Sequence, residues 1–243
     1  MLKGDQRGIY DLDFTIPAKC ADDLRSREVA VGIIPSIEYQ RMERLRILPG
    51  CSIASKGVVK SVLLLSKVPV EEIRTVALDN SSRTSAALVE VLLRKFYSLT
   101  PTVVPADPEP EKMLQRADAA LLIGDPALTL DGTALKVYDL AAEWKKFTGL
   151  PFVFALWAGH EDGDLGRFSA DFEASRDYGL QHIDDIAREY ATRMGLPREA
   201  VKVYLSKNID YSLDEENRKG LQLFYRLAHE IGIIRDEKEI LFA

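Results

Sequence analysis

The stretch Val76-Ala77-Leu78-Asp79-Asn80-Ser81-Ser82-Arg83-Thr84-Ser85 ends in four hydroxyl side chains and an arginine, and a helical pattern follows at once. A strand that turns through small hydroxyl residues into a helix presents free backbone N–H groups and the positive end of the helix dipole. The hydroxyls of Ser82, Thr84 and Ser85 add donors, and Arg83 has the geometry of a bidentate clamp on a carboxylate. The plainer reading is an N-cap, since serine and threonine favour that position whatever the function. So many hydroxyls beside an arginine set the two readings level. Ile123-Gly124-Asp125 ends another apolar run. Gly124 permits close approach of a ligand or an unusual φ, and Asp125 suits a cap or an orienting carboxylate. A structural role is the simpler account, yet open α/β sheets place ligands at the C-terminal ends of their strands.

Ser36 after Pro35 and Ser61 after Lys60 flank strands. From spacing alone both read as buried hydrogen-bonding serines, and no G-x-S-x-G elbow marks either as a hydrolase nucleophile. His160 follows an apolar strand at a cleft edge, although a solvated loop histidine is the plainer reading. Trp144 and Trp157 read as packing, and Cys20 and Cys51 as small buried hydrophobes.

The chain has 243 residues, with 32 basic and 38 acidic side chains and a formal charge of −6. That balance argues against a broad basic surface for nucleic acid, while a local pocket remains free to take an anion. Two cysteines and three scattered histidines exclude a disulfide framework, a four-thiolate site and any local metal signature. There is no P-loop and no G-x-G-x-x-G, so neither metal nor cofactor is expected. No apolar run approaches the roughly 20 residues of a spanning helix. The opening Met-Leu-Lys-Gly-Asp-Gln-Arg-Gly lacks a signal-peptide core. The expectation is a soluble, cytoplasmic protein with no membrane partner.

Short β-rich runs alternating with helical patterns indicate an α/β fold. Strands are predicted at Val29–Ile34, Ser61–Leu65, Arg74–Leu78, Ala119–Ile123 and Phe152–Trp157. Helices are predicted at Ala18–Arg27, Ala86–Tyr97, Tyr138–Phe147 and Glu215–Ile231, in a mostly helical region beginning near Gly163. Pro101–Pro110 reads as a surface connection, and the charged run 235–239 as a solvated end. The order suggests two lobes with a ligand cleft between them. Residues 78–157 form lobe 2, and 1–77 plus 158–243 form a discontinuous lobe 1. Composition and spacing lead to a cleft protein for a small anion and stop there.

These segments resemble the MqnA family, the chorismate dehydratases of the futalosine route to menaquinone. The matching pieces are Pro35-Ser36-Ile37-Glu38-Tyr39, Gly57 through Ser61-Val62, Ser81-Ser82-Arg83-Thr84-Ser85, Ile123-Gly124-Asp125-Pro126-Ala127-Leu128 and Tyr138-Asp139-Leu140. Further on come Trp144 with Thr148-Gly149-Leu150-Pro151-Phe152-Val153-Phe154-Ala155-Leu156-Trp157, and Tyr204 with Asp210-Tyr211. The resemblance implies a two-lobed periplasmic-binding-protein-like fold of type II acting as an enzyme. It implies chorismate as the small-molecule substrate, with 3-[(1-carboxyvinyl)oxy]benzoate and water as products. Carried over, Ser61 matches the catalytic serine and the Ser82–Ser85 turn the anion-binding segment. Ser36, Gly124 and Asp125 join Ser82, Arg83, Thr84 and Ser85 as expected substrate-binding residues. A non-catalytic solute-binding module for a small aromatic or dicarboxylic anion is the rival expectation.

Family members begin with a strand carrying an Asn-x-x-Pro segment, well before the stretch matching Tyr10–Pro17. This sequence opens at Met1 without that segment. Such a strand is interior to the first lobe, so its loss should cost ladder bonds and core. The expectation is a start assigned late, at an internal methionine, or a protein that recruits a strand from elsewhere. For the chemistry, the substrate's own enolpyruvyl carboxylate is expected to take the proton, with Ser61 orienting it. A histidine base, for which His160 is the candidate, is the alternative.

Overall fold

A computed structural model describes residues 1, 4–79, 81–130 and 134–243, so Asn80 of the hydroxyl-rich stretch lies outside the described residues. Along the chain come α1 (Pro17–Arg25), β1 (Val31–Pro35), α2 (Ser36–Arg41), β2 (Leu45–Ser55), β3 (Val62–Ser66), β4 (Thr75–Asp79), α3 (Arg83–Val91), β5 (Thr102–Ala106), α4 (Pro110–Arg116) and β6 (Ala119–Ile123). There follow α5 (Asp125–Leu128), β7 (Lys136–Asp139), α6 (Leu140–Thr148), β8 (Phe152–His160), α7 (Gly166–Gln181), α8 (Ile183–Met194), α9 (Arg198–Val203), β9 (Asp210–Leu213) and α10 (Glu215–Glu230). A π-helical turn, Tyr204–Asn208, joins α9 to β9.

The strands form two sheets, a four-stranded one in the order β1-β8-β2-β9 and a five-stranded one in the order β5-β4-β6-β3-β7. Their composition corrects the expected boundaries. β3 and β4 belong to the second sheet, and β8 returns to the first, so divisions at 78 and 157 cut across both. The reason is pairing at long range. The apolar run Val62–Ser66 is buried at every position, and it finds its neighbours in β6 and β7, both antiparallel to it. Each half therefore gathers around its own sheet, and the chain passes between them near residues 56–61 and 148–152.

β2 escaped the sequence reading because Pro49-Gly50 interrupts it. The structure absorbs that interruption as a register shift against β8 between Ile47 and Ser52. Gly50 has φ +83°, and a Cβ there would collide with the Glu173 side chain of α7. The expected surface connection at 101–110 also contains structure, β5 and the start of α4. Pro105 is accommodated because β5 is an edge strand, paired among the described residues with β4 on one side only.

The join between the halves is aromatic. Trp144 of α6, Phe152 of β8 and Phe224 of α10 meet edge to face, with centroids 4.9 to 6.2 Å apart. The Trp144 indole N–H donates to Pro151 O at 2.9 Å, satisfying a fully buried donor.

Nor is the charged run near the C-terminus wholly a solvated end. Gln40 Nε2 donates to Lys238 O at 3.0 Å, and Lys238 N–H donates to Gln40 Oε1 at 2.7 Å. Tyr39 Oη donates to Glu239 O and accepts from Leu241 N–H, each at 2.9 Å.

β1 has β8 on one side and, among the described residues, no strand on the other. A cavity of about 1380 Å³ borders this four-stranded sheet, lined from β1, β2, β8, β9 and α7 by Val31, Cys51, Trp157, Tyr211, Phe172 and Arg176 among others. Phe14, in the extended segment bordering this cavity, is 71% exposed.

Candidate functional site

Strand direction gathers the expected site residues along one edge of the five-stranded sheet. β4 and β6 run parallel, so the N-terminus of α3 and the Gly124-Asp125 turn follow neighbouring strands on the same side. β3 runs antiparallel to β6, which brings Ser61, the residue before β3, to that edge too; Gly124 N–H donates to Ser61 O at 2.8 Å. With strands about 4.8 Å apart, the three segments lie within roughly 10 Å of one another. This is the carboxyl edge, where α/β sheets take ligands.

In α3 the helical ladder starts with Ala86 N–H donating to Ser82 O at 2.8 Å. The N–H groups of Arg83, Thr84 and Ser85 precede that ladder and stay available for an anion. Ser82 occupies the N-cap position of α3, as the plainer reading expects, but its side chain makes no cap bond. Just before it, Asp79 accepts from Ser81 N–H at 2.8 Å and from Ser81 Oγ at 2.6 Å, an Asx turn that fixes the approach to the helix.

Ser36 and Thr84 meet across the two halves. Ser36 Oγ lies 3.5 Å from Thr84 Oγ1 and donates to Val153 O at 2.8 Å, while Thr84 Oγ1 accepts from Ile37 N–H at 3.2 Å. Both side chains are buried and join α2, α3 and β8. Arg83 points elsewhere. Its guanidinium donates to both Asp22 oxygens, at 3.0 and 2.8 Å, and to Glu38 at 3.2 Å. Glu38 is buried among Arg25, Arg41 and Arg83, so Arg83 neutralises a carboxylate of this chain. The Arg83 hydrogen bond holds the Asp22 carboxyl below its usual range.

Ser61 is held from three directions. Asp139 accepts from Val59 N–H at 3.1 Å, from Lys60 N–H at 2.7 Å and from Ala142 N–H at 3.0 Å, pinning the preceding turn while capping α6. Lys60 takes a left-handed φ of +66°, a conformation that costs a non-glycine residue about 1–2 kcal/mol. Gly124, with φ +71°, fixes the serine carbonyl. The third hold is Tyr204, whose hydroxyl donates to Ser61 Oγ at 3.0 Å. The sequence reading gave Tyr204 no role at the site, because its partner lies 143 residues away and no spacing rule connects them. Gly124 and Asp125 face solvent, whereas Ser61 is 6% exposed.

His160 is remote from this edge. Val153 of β8 accepts from Ser36, and His160 lies seven residues further along the same strand, roughly 23 Å at about 3.3 Å per residue. Its Nε2 is 2.8 Å from Leu24 O, within the first half. Among the described residues no group of histidines, cysteines and carboxylates is arranged to hold a metal. Nor is any helix there long and apolar enough to cross a membrane.

A family model described as menaquinone biosynthesis matches residues 8–230. The chain belongs to that family. A chorismate dehydratase of Thermus thermophilus is 32% identical to this menaquinone-biosynthesis family member, covering 90% of this chain and 85% of the relative. A chorismate dehydratase of Campylobacter jejuni is 27% identical, covering 90% and 83%. Among solved structures, a protein from Archaeoglobus fulgidus superposes with a TM-score of 0.70 at 23% identity, over 91% of this chain and 86% of that one. The alkanesulfonate-binding protein of Xanthomonas axonopodis, bound to MOPS, gives 0.60 at 17% identity, over 95% and 84%. The structural matches establish a periplasmic-binding-protein-like fold for this family member, in agreement with its two sheets.

Proposed function

We propose that this chain dehydrates chorismate to 3-[(1-carboxyvinyl)oxy]benzoate, in the cytoplasm, as a step of the futalosine route to menaquinone. The match along nine-tenths of the chain to a chorismate dehydratase carries the proposal. The two lobes follow the two sheets, and substrate lies between them at the carboxyl edge of the second.

Chorismate loses the proton on C3 and the hydroxyl on C4. The electron pair of the C3–H bond becomes the C3–C4 double bond, the C4–O bond breaks, and the ring becomes aromatic. Aromatisation makes the reaction downhill, so positioning is the protein's main task. Negative charge gathers on the ring carboxylate as C3 loses its proton. The N–H groups of Arg83, Thr84 and Ser85, with the Ser82 and Ser85 hydroxyls, are the donors that meet it. The enolpyruvyl carboxylate accepts the C3 proton and returns it to the departing hydroxyl, which leaves as water. Ser61 donates a hydrogen bond to that carboxylate and holds it over C3. The position of His160, at the far end of β8, supports a route that needs no histidine.

Incubation of the protein with chorismate, followed by chromatography and mass measurement, should give a product lighter by one water. Ser61→Ala should lower kcat about a hundredfold, the usual effect of removing one aimed donor, and His160→Ala should leave it nearly unchanged. Recovery of intact chorismate would overturn the assignment. Loss of turnover in His160→Ala with affinity retained would overturn the substrate-assisted route.

A further inference from the structure

Backbone contacts place Ser61 but leave its side-chain torsion free. Asp139 and Gly124 hold the main chain on either side, and neither touches Oγ. The Tyr204 hydroxyl makes the one side-chain hydrogen bond of Ser61 among the described residues. The two partners come from opposite halves. Ser61 immediately precedes β3 of the five-stranded sheet, while Tyr204 begins the turn leading into β9 of the four-stranded one. The contact is part of a three-point grip on the passage between halves. Asn208 Nδ2 donates to Val58 O at 2.8 Å, and Lys56 Nζ pairs with Asp214.

We infer that Tyr204 is a positioning residue that sets the rotamer of Ser61 and directs the serine proton to the substrate; this rests on the dehydratase reading above. A serine hydroxyl has one proton and two lone pairs. When the phenol proton occupies one lone pair, the serine proton needs an acceptor of its own, and no described side chain or carbonyl supplies it. Burial raises the Tyr204 pKa, with the Ser61 contact opposing and the Asp125 charge reinforcing, so the phenol keeps its proton through the neutral range. An oxygen that already accepts from a phenol is also a weaker base. Ser61 is thereby set as a donor, the role that substrate assistance requires. Because its partner is fixed to the other sheet, the orientation holds only while the two halves are closed together.

Tyr204→Phe keeps the ring and removes the hydroxyl alone. It should lower kcat about tenfold, leave KM within about twofold and leave the melting temperature unchanged. In a Ser61→Ala background the same change should do nothing more, because Tyr204 acts through Ser61. A crystal structure of Tyr204→Phe should show Ser61 Oγ moved from its present rotamer. An equal loss of kcat in the Ser61→Ala background would overturn the inference, since Tyr204 would then act on the substrate directly. An unmoved Ser61 rotamer would overturn it as well. If the wild-type protein failed to convert chorismate, the functional reading would fall, and the rotamer comparison would still decide the role of Tyr204.

Discussion

In the five-stranded sheet, β3 is buried at all five positions between β6 and β7, whereas in the four-stranded sheet β1, among the described residues, pairs with β8 alone and borders a cavity of about 1380 Å³. Both strands are short and apolar. Their difference lies in what covers them, and the chemistry follows that division. The start of α3 and Ser61, the proposed anion-binding and catalytic positions, adjoin the buried central strands of the five-stranded sheet, where small displacements are resisted by close packing on both faces. The half built on the four-stranded sheet contributes Ser36, at the start of α2, and Tyr204, in the turn before β9, and each reaches the candidate site through a hydroxyl contact. The proposed donors thus stand beside a strand buried on both faces, and Ser36 and Tyr204 reach them from the other half.

The largest effect expected from this contrast is on stability. Leu64, at the centre of β3 and 3% exposed, should cost about 2–5 kcal/mol when changed to alanine, measured by denaturant unfolding. Val31→Ala, at the edge of β1, should cost about 1 kcal/mol or less. Similar losses at the two positions would mean that the edge is as firmly packed as the centre. Hydrogen exchange sharpens the same comparison without mutation. Amides of β3 and β6 should exchange only through global unfolding, while residues 10–15 and the outer edge of β1 exchange through local opening. Uniform protection across both sheets would refute the contrast.

The smallest effect is on pH dependence. Asp118, between the ends of β4 and β6, is partly desolvated. Hydrogen bonds from Thr75 Oγ1 and from the Arg74 and Thr75 N–H groups outweigh that burial and lower its pKa. A carboxyl depressed on folding stabilises the protein above its unfolded pKa of about 4, and that contribution is lost as pH falls through the lower folded value. The melting temperature should therefore fall as pH drops below 4, and Asp118→Asn should make that fall shallower. An unchanged acid profile in the variant would place the acid sensitivity elsewhere, with Asp22 beside Arg83 the next carboxyl to examine.

Strands buried on both faces were legible from sequence because an unbroken apolar run survives any topology, as at 62–66, 119–123 and 152–157. β2 and β5 were hidden by Pro49-Gly50 and Pro105, which break a pattern without breaking a strand when a bulge or an edge receives them. Sheet membership was not legible. Nothing in the run Val62–Ser66 states that its partners are β6 and β7 and not its neighbour β2. At the candidate site, Gly124 and the 82–85 turn drew notice because strand ends and helix starts carry local signatures, whereas the role proposed for Ser61 came from the family resemblance alone. The commitment of Arg83 to Asp22 and Glu38, and of Tyr204 to Ser61, depends on pairs 45 to 143 residues apart.

Tyr39 and Gln40, near the end of the helix that starts at Ser36, take their hydrogen bonds from residues 238–241. On a ribosome these partners are made about 200 residues later, which at roughly 5–20 residues per second is a wait of about 10–40 seconds. The helix carrying Ser36, which meets Thr84 of the other half, is thus completed only once residues 238–241 have been made.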